Sequence, residues 1–190
     1  MRKTVVFAFI LLSLAGLAMA QVPTSGNIFV GFSFENASSS AVNLNLDRFN
    51  LNGWEASLEG KVFPHIGIVA DFSGHYGSES YVLNPPGGPG PININVTGHE
   101  TEVLFGPRVS IPVGKVTPFG EFMAGVGHIN TGGTLAGFSN TSFATAVGGG
   151  IDYRIVRPVA LRLEGDYVTT RFFSTTQNNL RISTGVVFRF

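Results

Sequence analysis

From Gln21 to Phe190 the chain consists of segments of about ten residues in which apolar side chains recur at every second position, each bounded by Gly, Pro, Asn or Ser. A period of two puts alternate residues on opposite faces of an extended strand, and no stretch shows the 3.6-residue period of a surface helix. Every strand therefore has one oily and one polar face. The fold is decided by where those two faces can go.

The last segment is the clearest. Leu180, Ile182, Thr184, Val186, Phe188 and Phe190 alternate with Arg181, Ser183, Gly185, Val187 and Arg189. Before it, Val159, Leu161, Leu163, Gly165 and Tyr167 oppose Ala160, Arg162, Glu164, Asp166 and Val168. Phe143, Thr145, Val147, Gly149, Ile151 and Tyr153 oppose Ala144, Ala146, Gly148, Gly150, Asp152 and Arg154, and Val116, Pro118, Gly120, Phe122, Ala124 and Val126 oppose Phe119, Glu121, Met123 and Gly125. Further back, Val103, Phe105, Pro107 and Val109 oppose Glu102, Leu104, Gly106 and Arg108, while Ile66, Ile68, Ala70, Phe72 and Tyr76 oppose His65, Val69, Asp71, Ser73 and His75. Trp54, Ala56, Leu58 and Val62 face away from Glu55, Ser57, Glu59 and Lys61, and Ile28, Val30, Phe32 and Phe34 face away from Gly31, Ser33 and Glu35. The pattern predicts eight strands.

In this register every charged strand residue shares a face with the small and polar residues. Charged residues make up only 13% of the chain while Phe alone numbers 17, so an apolar surface has to meet something other than water. Eight strands enclose a lumen just wide enough for side chains, which suits a face of Gly, Ser, Ala and opposite charges. The oily face then points outward to lipid, giving an eight-stranded antiparallel up-and-down transmembrane β-barrel. The inverted arrangement, a soluble lipocalin-like barrel with the oily face inside, is the competing reading. Buried charges are costly unless paired, so a lumenal ion-pair network is expected. Its members are Glu55, Glu59, Asp71, Arg108, Glu121, Asp152, Arg154, Arg162, Glu164, Asp166 and Arg181, with Glu35, Glu102, Lys61 and Arg189 on the same face.

Residues 1–20 read as a signal peptide: Arg2 and Lys3, an apolar run from Val5 to Leu17, and the small-x-small pattern Ala18-Met19-Ala20. The barrel domain is then 21–190. No later apolar run reaches the roughly 20 residues of a membrane helix, so any membrane crossing is made by strands. Connections alternate in length. Short ones, each with a proline, lie at Phe63-Pro64, Ile111–Gly114 and Ile155–Pro158. Long ones are expected at 36–52, 77–99, 129–141 and 171–179, the second containing the Pro/Gly-rich run from Asn84 to Pro91. Trp54, Tyr76, Tyr81, Tyr153 and Tyr167 fall near strand ends, where interface girdles form.

Several chemistries are excluded or weakened. With no cysteine there is no disulfide, thiolate metal site or cysteine nucleophile, and balanced charge leaves no basic patch for nucleic acid. His65, His75, His99 and His128 show no metal-ligand spacing, and Gly148-Gly149-Gly150 lacks the Lys and Ser/Thr of a phosphate loop, so no cofactor or metal is expected. Asp71, Ser73 and His75 share a face in the manner of a triad, but residues two apart on one strand more often fill a lumen. No catalytic residue is assigned.

The run Leu180–Phe190, ending on an aromatic after alternating apolar positions, together with Gly53-Trp54-Glu55-Ala56-Ser57 and Gly67–Gly74, resembles the small outer-membrane barrels of the OmpA-like and opacity-like type. The resemblance covers nearly all of the chain after residue 20. It implies the outer membrane of a Gram-negative-type cell, outer-membrane lipid as surroundings, and recognition of Phe188 and Phe190 by the barrel-assembly machinery. Since the chain stops at Phe190, the peptidoglycan-binding domain of longer members is not expected. The implied role is structural, adhesive or surface-interacting, through loops that meet an extracellular ligand. A narrow channel for small solutes or ions, or a lipid-modifying enzyme, are the alternatives.

Overall fold

The computed structural model describes residues 25–37, 49–83, 90–133, 137–172 and 175–190. The alternating segments form β1 (Gly26–Ala37), β2 (Phe49–Phe63), β3 (Ile66–Leu83), β4 (Ile92–Ser110), β5 (Val116–Gly133), β6 (Phe138–Val156), β7 (Val159–Thr170) and β8 (Gln177–Arg189). Each strand pairs antiparallel with the next, and β8 pairs antiparallel with β1, so the sheet closes into a barrel. The expected signal peptide, the start at Gln21 and the stretch from Asn84 to Pro89 lie outside the described residues.

Closure is what hydrocarbon demands of strands, because a backbone N–H or C=O left unpaired there costs several kcal/mol. The seam between first and last strand is bonded to its end: Gly26 N donates to Phe190 O at 2.9 Å and Phe190 N to Gly26 O at 3.1 Å. Among the described residues no helix is long and apolar enough to cross a membrane. The pleat sorts the side chains as the alternation requires. Val30, Phe32, Leu58, Ile68, Phe122, Val147 and Leu163 stand outward, while Glu55, Asp71, Arg108, Arg162 and Arg181 are buried inside. The soluble inversion, with the aliphatic rows packed in the core and the ionic rows in water, is not what forms.

The start of β1, the C-terminal end of β8 and the three tight connections share one end of the barrel. There Gly114 adopts a φ of +63°, a left-handed turn conformation that glycine takes without Cβ strain. At the other, distal end the strands run further than expected. Residues 77–83 and 92–99, read from sequence as loop, continue the β3–β4 ladder through Gly77↔Gly98, Ser78↔Thr97 and on to Leu83↔Ile92. The β5–β6 ladder likewise continues to Thr131↔Phe138, and β8 already starts at Gln177. Ser, Asn, Gly and Thr mark loops statistically, yet a ladder needs only backbone partners, and cross-strand contacts supply the rest. Tyr76 and His99 meet edge to face at 4.9 Å, and Ser80 and Asn95 join by their side chains. The result is uneven height: β3, β4, β5 and β6 have 18 or 19 residues, against 12 or 13 in β7, β8 and β1.

Candidate functional site: the filled lumen

Nearest the termini, two arginines organise the interior. Arg108 on β4 donates from Nε to Glu121 Oε2 at 2.5 Å and from Nη2 to Glu164 Oε1 at 3.5 Å, with Nη1 3.6 Å from Glu59 Oε2. Arg162 on β7 grips Asp152 with two bonds, Nε to Oδ1 at 2.7 Å and Nη2 to Oδ2 at 3.2 Å, and donates from Nη1 to Glu164 Oε2 at 3.3 Å. Forked pairing of this kind is the geometry in which a planar guanidinium binds a carboxylate most strongly. Both guanidiniums also lie over the Phe119 ring, at 4.4 and 4.5 Å from its centroid, and Arg162 lies 5.0 Å from that of Phe29. Lys61 pairs with Glu59, and Arg189 Nη2 reaches Asp152 Oδ2 at 3.4 Å. Four carboxylates thus meet four cations. A cavity of about 250 Å³ opens at this end, between Asn27, Lys61, Thr117 and Phe190.

The distal half is built otherwise. Arg181 on β8 is fully buried and serves four carboxylates. Its Nε and Nη2 donate to Asp166 Oδ2 at 3.1 and 2.8 Å, its Nη1 donates to Asp71 Oδ1 at 3.1 Å and Glu102 Oε2 at 3.5 Å, and Nε lies 3.6 Å from Glu55 Oε2. Gly148 makes room for this packing, since a Cβ there would collide with the Asp166 carboxylate. Beyond Arg181 lie Glu35, His75 and Glu100, all buried. Asn179 Nδ2 donates to Glu35 Oε1 at 2.5 Å, and His75 places Nε2 2.8 Å from Ser33 Oγ and Nδ1 3.2 Å from Glu35 Oε2. Gly53 pairs in register with both Ser33 and His75. Having no side chain, it lets the imidazole cross β2 and touch β1.

Of the residues expected in the lumenal network, Glu55, Glu59, Asp71, Arg108, Glu121, Asp152, Arg162, Glu164, Asp166 and Arg181 are buried in the interior. Arg154 is not. It is exposed at the rim and donates from Nη2 to the Gly114 carbonyl at 3.0 Å, because the β6–β7 register shifts at Arg154/Val156 and the strand is leaving the barrel there. Asp71, Ser73 and His75 do not form a triad: Ser73 Oγ donates to Glu102 Oε2 at 3.3 Å, and His75 turns to Ser33 and Glu35. Ser33, His75 and Glu35 have the connectivity of a nucleophile relay, but they lie enclosed and Nδ1 is not aligned for a hydrogen bond to Glu35.

Several interior residues escaped sequence reasoning, among them Leu51, Gln177 and Asn179, buried in stretches read as loop. Glu100 lies between the loop expected to end at His99 and the strand expected to begin at Glu102. Phe29 lies on the parity of Gly31 and Ser33 and was legible from it. Phe172, fully buried, follows β7 and packs over Gly127, which no periodicity announces. Phe188 stands outward on β8, and Phe190 is half exposed at the seam.

The family model for the outer membrane protein beta-barrel domain matches residues 6–190. No curated protein sequence matches the chain. Among solved structures the chain is similar to Neisserial surface protein A, with a TM-score of 0.64 and 14% identity over 87% of this chain and 97% of that one. It is also similar to Ail, the attachment invasion locus protein of Yersinia pestis, with a TM-score of 0.55 and 15% identity over 89% of this chain and 100% of that one. Ail is also known in complex with the heparin analogue sucrose octasulfate, and that structure matches with a TM-score of 0.54 and 15% identity over 87% of this chain and 98% of that one. At such identities the likeness is one of fold.

Proposed function

The chain belongs to the outer membrane protein beta-barrel domain family, and from that premise we propose that it is a surface-interaction protein whose barrel anchors a binding wall outside the cell. The protein resides in the outer membrane, with its apolar rows against lipid. In the proposed orientation the termini and tight turns face the periplasm and the distal end faces outward, as in bacterial barrels with short periplasmic turns and longer extracellular connections.

The observation that carries the reading is the uneven height. At about 3.3 Å per residue and a tilt of about 40°, a 12-residue strand rises roughly 30 Å along the axis and a 19-residue strand roughly 48 Å. The apolar band needs only about 25 Å. One side of the barrel therefore carries a four-stranded sheet well beyond the hydrocarbon, bearing Ser, Thr and Asn with almost no charge: Ser78, Asn95, Thr97, Asn130, Ser139 and Thr141 among them. Such a surface suits a partner recognised through neutral hydrogen bonds and backbone edges. The lumen supports an anchor in preference to a conduit, because Arg108, Arg162 and Phe119 fill its cross-section near the termini and Arg181 fills it further out.

Replacing residues 78–97 by an Asn-Gly turn shortens the wall and leaves the membrane-embedded ladder intact. Cells displaying the shortened barrel, shown to be folded by heat-modifiable migration, lose most of their adherence to epithelial monolayers relative to cells displaying the full one. Equal adherence overturns the reading, as does a large, steady conductance of the purified barrel in planar bilayers. The proposed role of Phe190 in assembly is tested separately: its deletion lowers the amount of barrel in outer-membrane fractions while the protein still refolds in detergent.

A further inference from the structure

We propose that the distal lumen holds one divalent transition-metal ion, bound by His75 Nδ1 and the carboxylates of Glu35, Glu102 and Glu100. One ligand atom from each of Glu35, His75 and Glu102 lies within 4.8 Å of the other two, and all three side chains are fully buried. Glu100 stands directly across the β3–β4 ladder from His75 on the same face, which sets their Cβ atoms about 5 Å apart. It is 1% exposed.

The hydrogen bonds leave the inward-facing atoms of this group free. Glu35 Oε1 accepts from Asn179 and Glu102 Oε2 accepts from Ser73 and Arg181. Glu35 Oε2, Glu102 Oε1, Glu100 Oε1 and His75 Nδ1 are buried with no hydrogen-bond partner. Three buried donor residues this close, with the Glu100 carboxylate across the ladder, repel and are desolvated, a costly arrangement unless a cation lies among them.

The imidazole is set for this role from behind. Ser183 Oγ donates to Glu55 Oε2 at 2.5 Å and lies 2.9 Å from Ser33 Oγ. Ser33 Oγ in turn lies 2.8 Å from His75 Nε2, close enough to accept a proton from it. In the tautomer that carries its proton on Nε2, His75 donates to Ser33 and keeps Nδ1 as a lone pair, the arrangement by which outer-shell partners orient a metal-binding histidine.

A single proton shared among these groups relieves one contact and leaves the others. A dication relieves all of them. Nitrogen with oxygen ligands suits zinc and its neighbours, at about 2.0–2.2 Å from each ligand atom. The ligands come from positions 35, 75, 100 and 102 on three strands, a set without local spacing. The second acidic group, Glu121, Glu164 and Asp166, is equally close, but arginines already occupy it.

The test uses the whole barrel, refolded in detergent after chelation and checked by heat-modifiable migration. Titrated with cobalt(II), it is expected to take up one equivalent with visible ligand-field bands, which zinc displaces. His75→Ala removes the bands, and Glu100→Gln and Ser33→Ala weaken binding by about tenfold or more. Asp152→Asn, in the half near the termini, leaves binding unchanged. Absence of the bands in the folded wild-type barrel overturns the proposal in favour of shared protons, and bands that survive in folded His75→Ala overturn it as well.

Discussion

The two halves of the lumen hold the same kinds of residue in opposite balance. Near the termini Glu59, Glu121, Asp152 and Glu164 face Lys61, Arg108, Arg162 and Arg189. In the distal half Glu35, Glu55, Asp71, Glu100, Glu102 and Asp166 share a single guanidinium, that of Arg181. The first half is a network in which Glu164 and Asp152 are each held by two cations; the second depends on one residue. A narrow barrel can evidently be filled either way, but the second way concentrates the consequences of a single change.

The largest effect is expected at Arg181. Arg181→Met leaves four buried carboxylates uncompensated, and should destabilise the barrel by about 5 kcal/mol or prevent its folding, as read by urea unfolding in lipid vesicles. A loss of less than about 1 kcal/mol would break the comparison. Arg162→Met is expected to cost less, about 3 kcal/mol, because Arg108 still reaches Glu164 and Arg189 still reaches Asp152. The sharpest contrast is one of sign. In chelated protein Glu100→Gln, which removes a carboxylate with no arginine or lysine paired to it among the described contacts, should stabilise by about 1 kcal/mol, whereas Glu121→Gln, which breaks the 2.5 Å bond to Arg108, should destabilise by about 2 kcal/mol. Equal signs in the same unfolding assay would show that the distal surplus is already neutralised. The smallest effect belongs to Arg154→Ala at the rim, within about 0.5 kcal/mol, as for an ordinary surface position.

Much of this was legible in the order of residues alone. Period-two alternation holds for each strand separately, so the face of Arg162 or Asp166 is read without knowing its neighbours. Pairing is another matter. Which acid meets Arg181 depends on stagger around the barrel, and Asp71 lies 110 positions away. Strand ends lie further out than composition suggests, and Glu100 sits just past the expected loop, short of the first residues assigned to the strand. Arg154 had the right parity at the wrong height, beyond the last layer that the lumen encloses. His75 and Glu35 meet only because Gly53 is small, and nothing local to either residue says so.

The slanted rim has a consequence for how anything large approaches. Among the described residues β7, β8 and β1 are shorter than β3 to β6 by roughly 15–20 Å along the axis, so the described rim is bevelled like a quill. In the proposed orientation a bulky partner would meet the tall panel broadside from one azimuth and lipid from the other. Crowded copies in a membrane patch would offer their panels in whatever directions lateral rotation leaves them, and capture would depend on that freedom to turn.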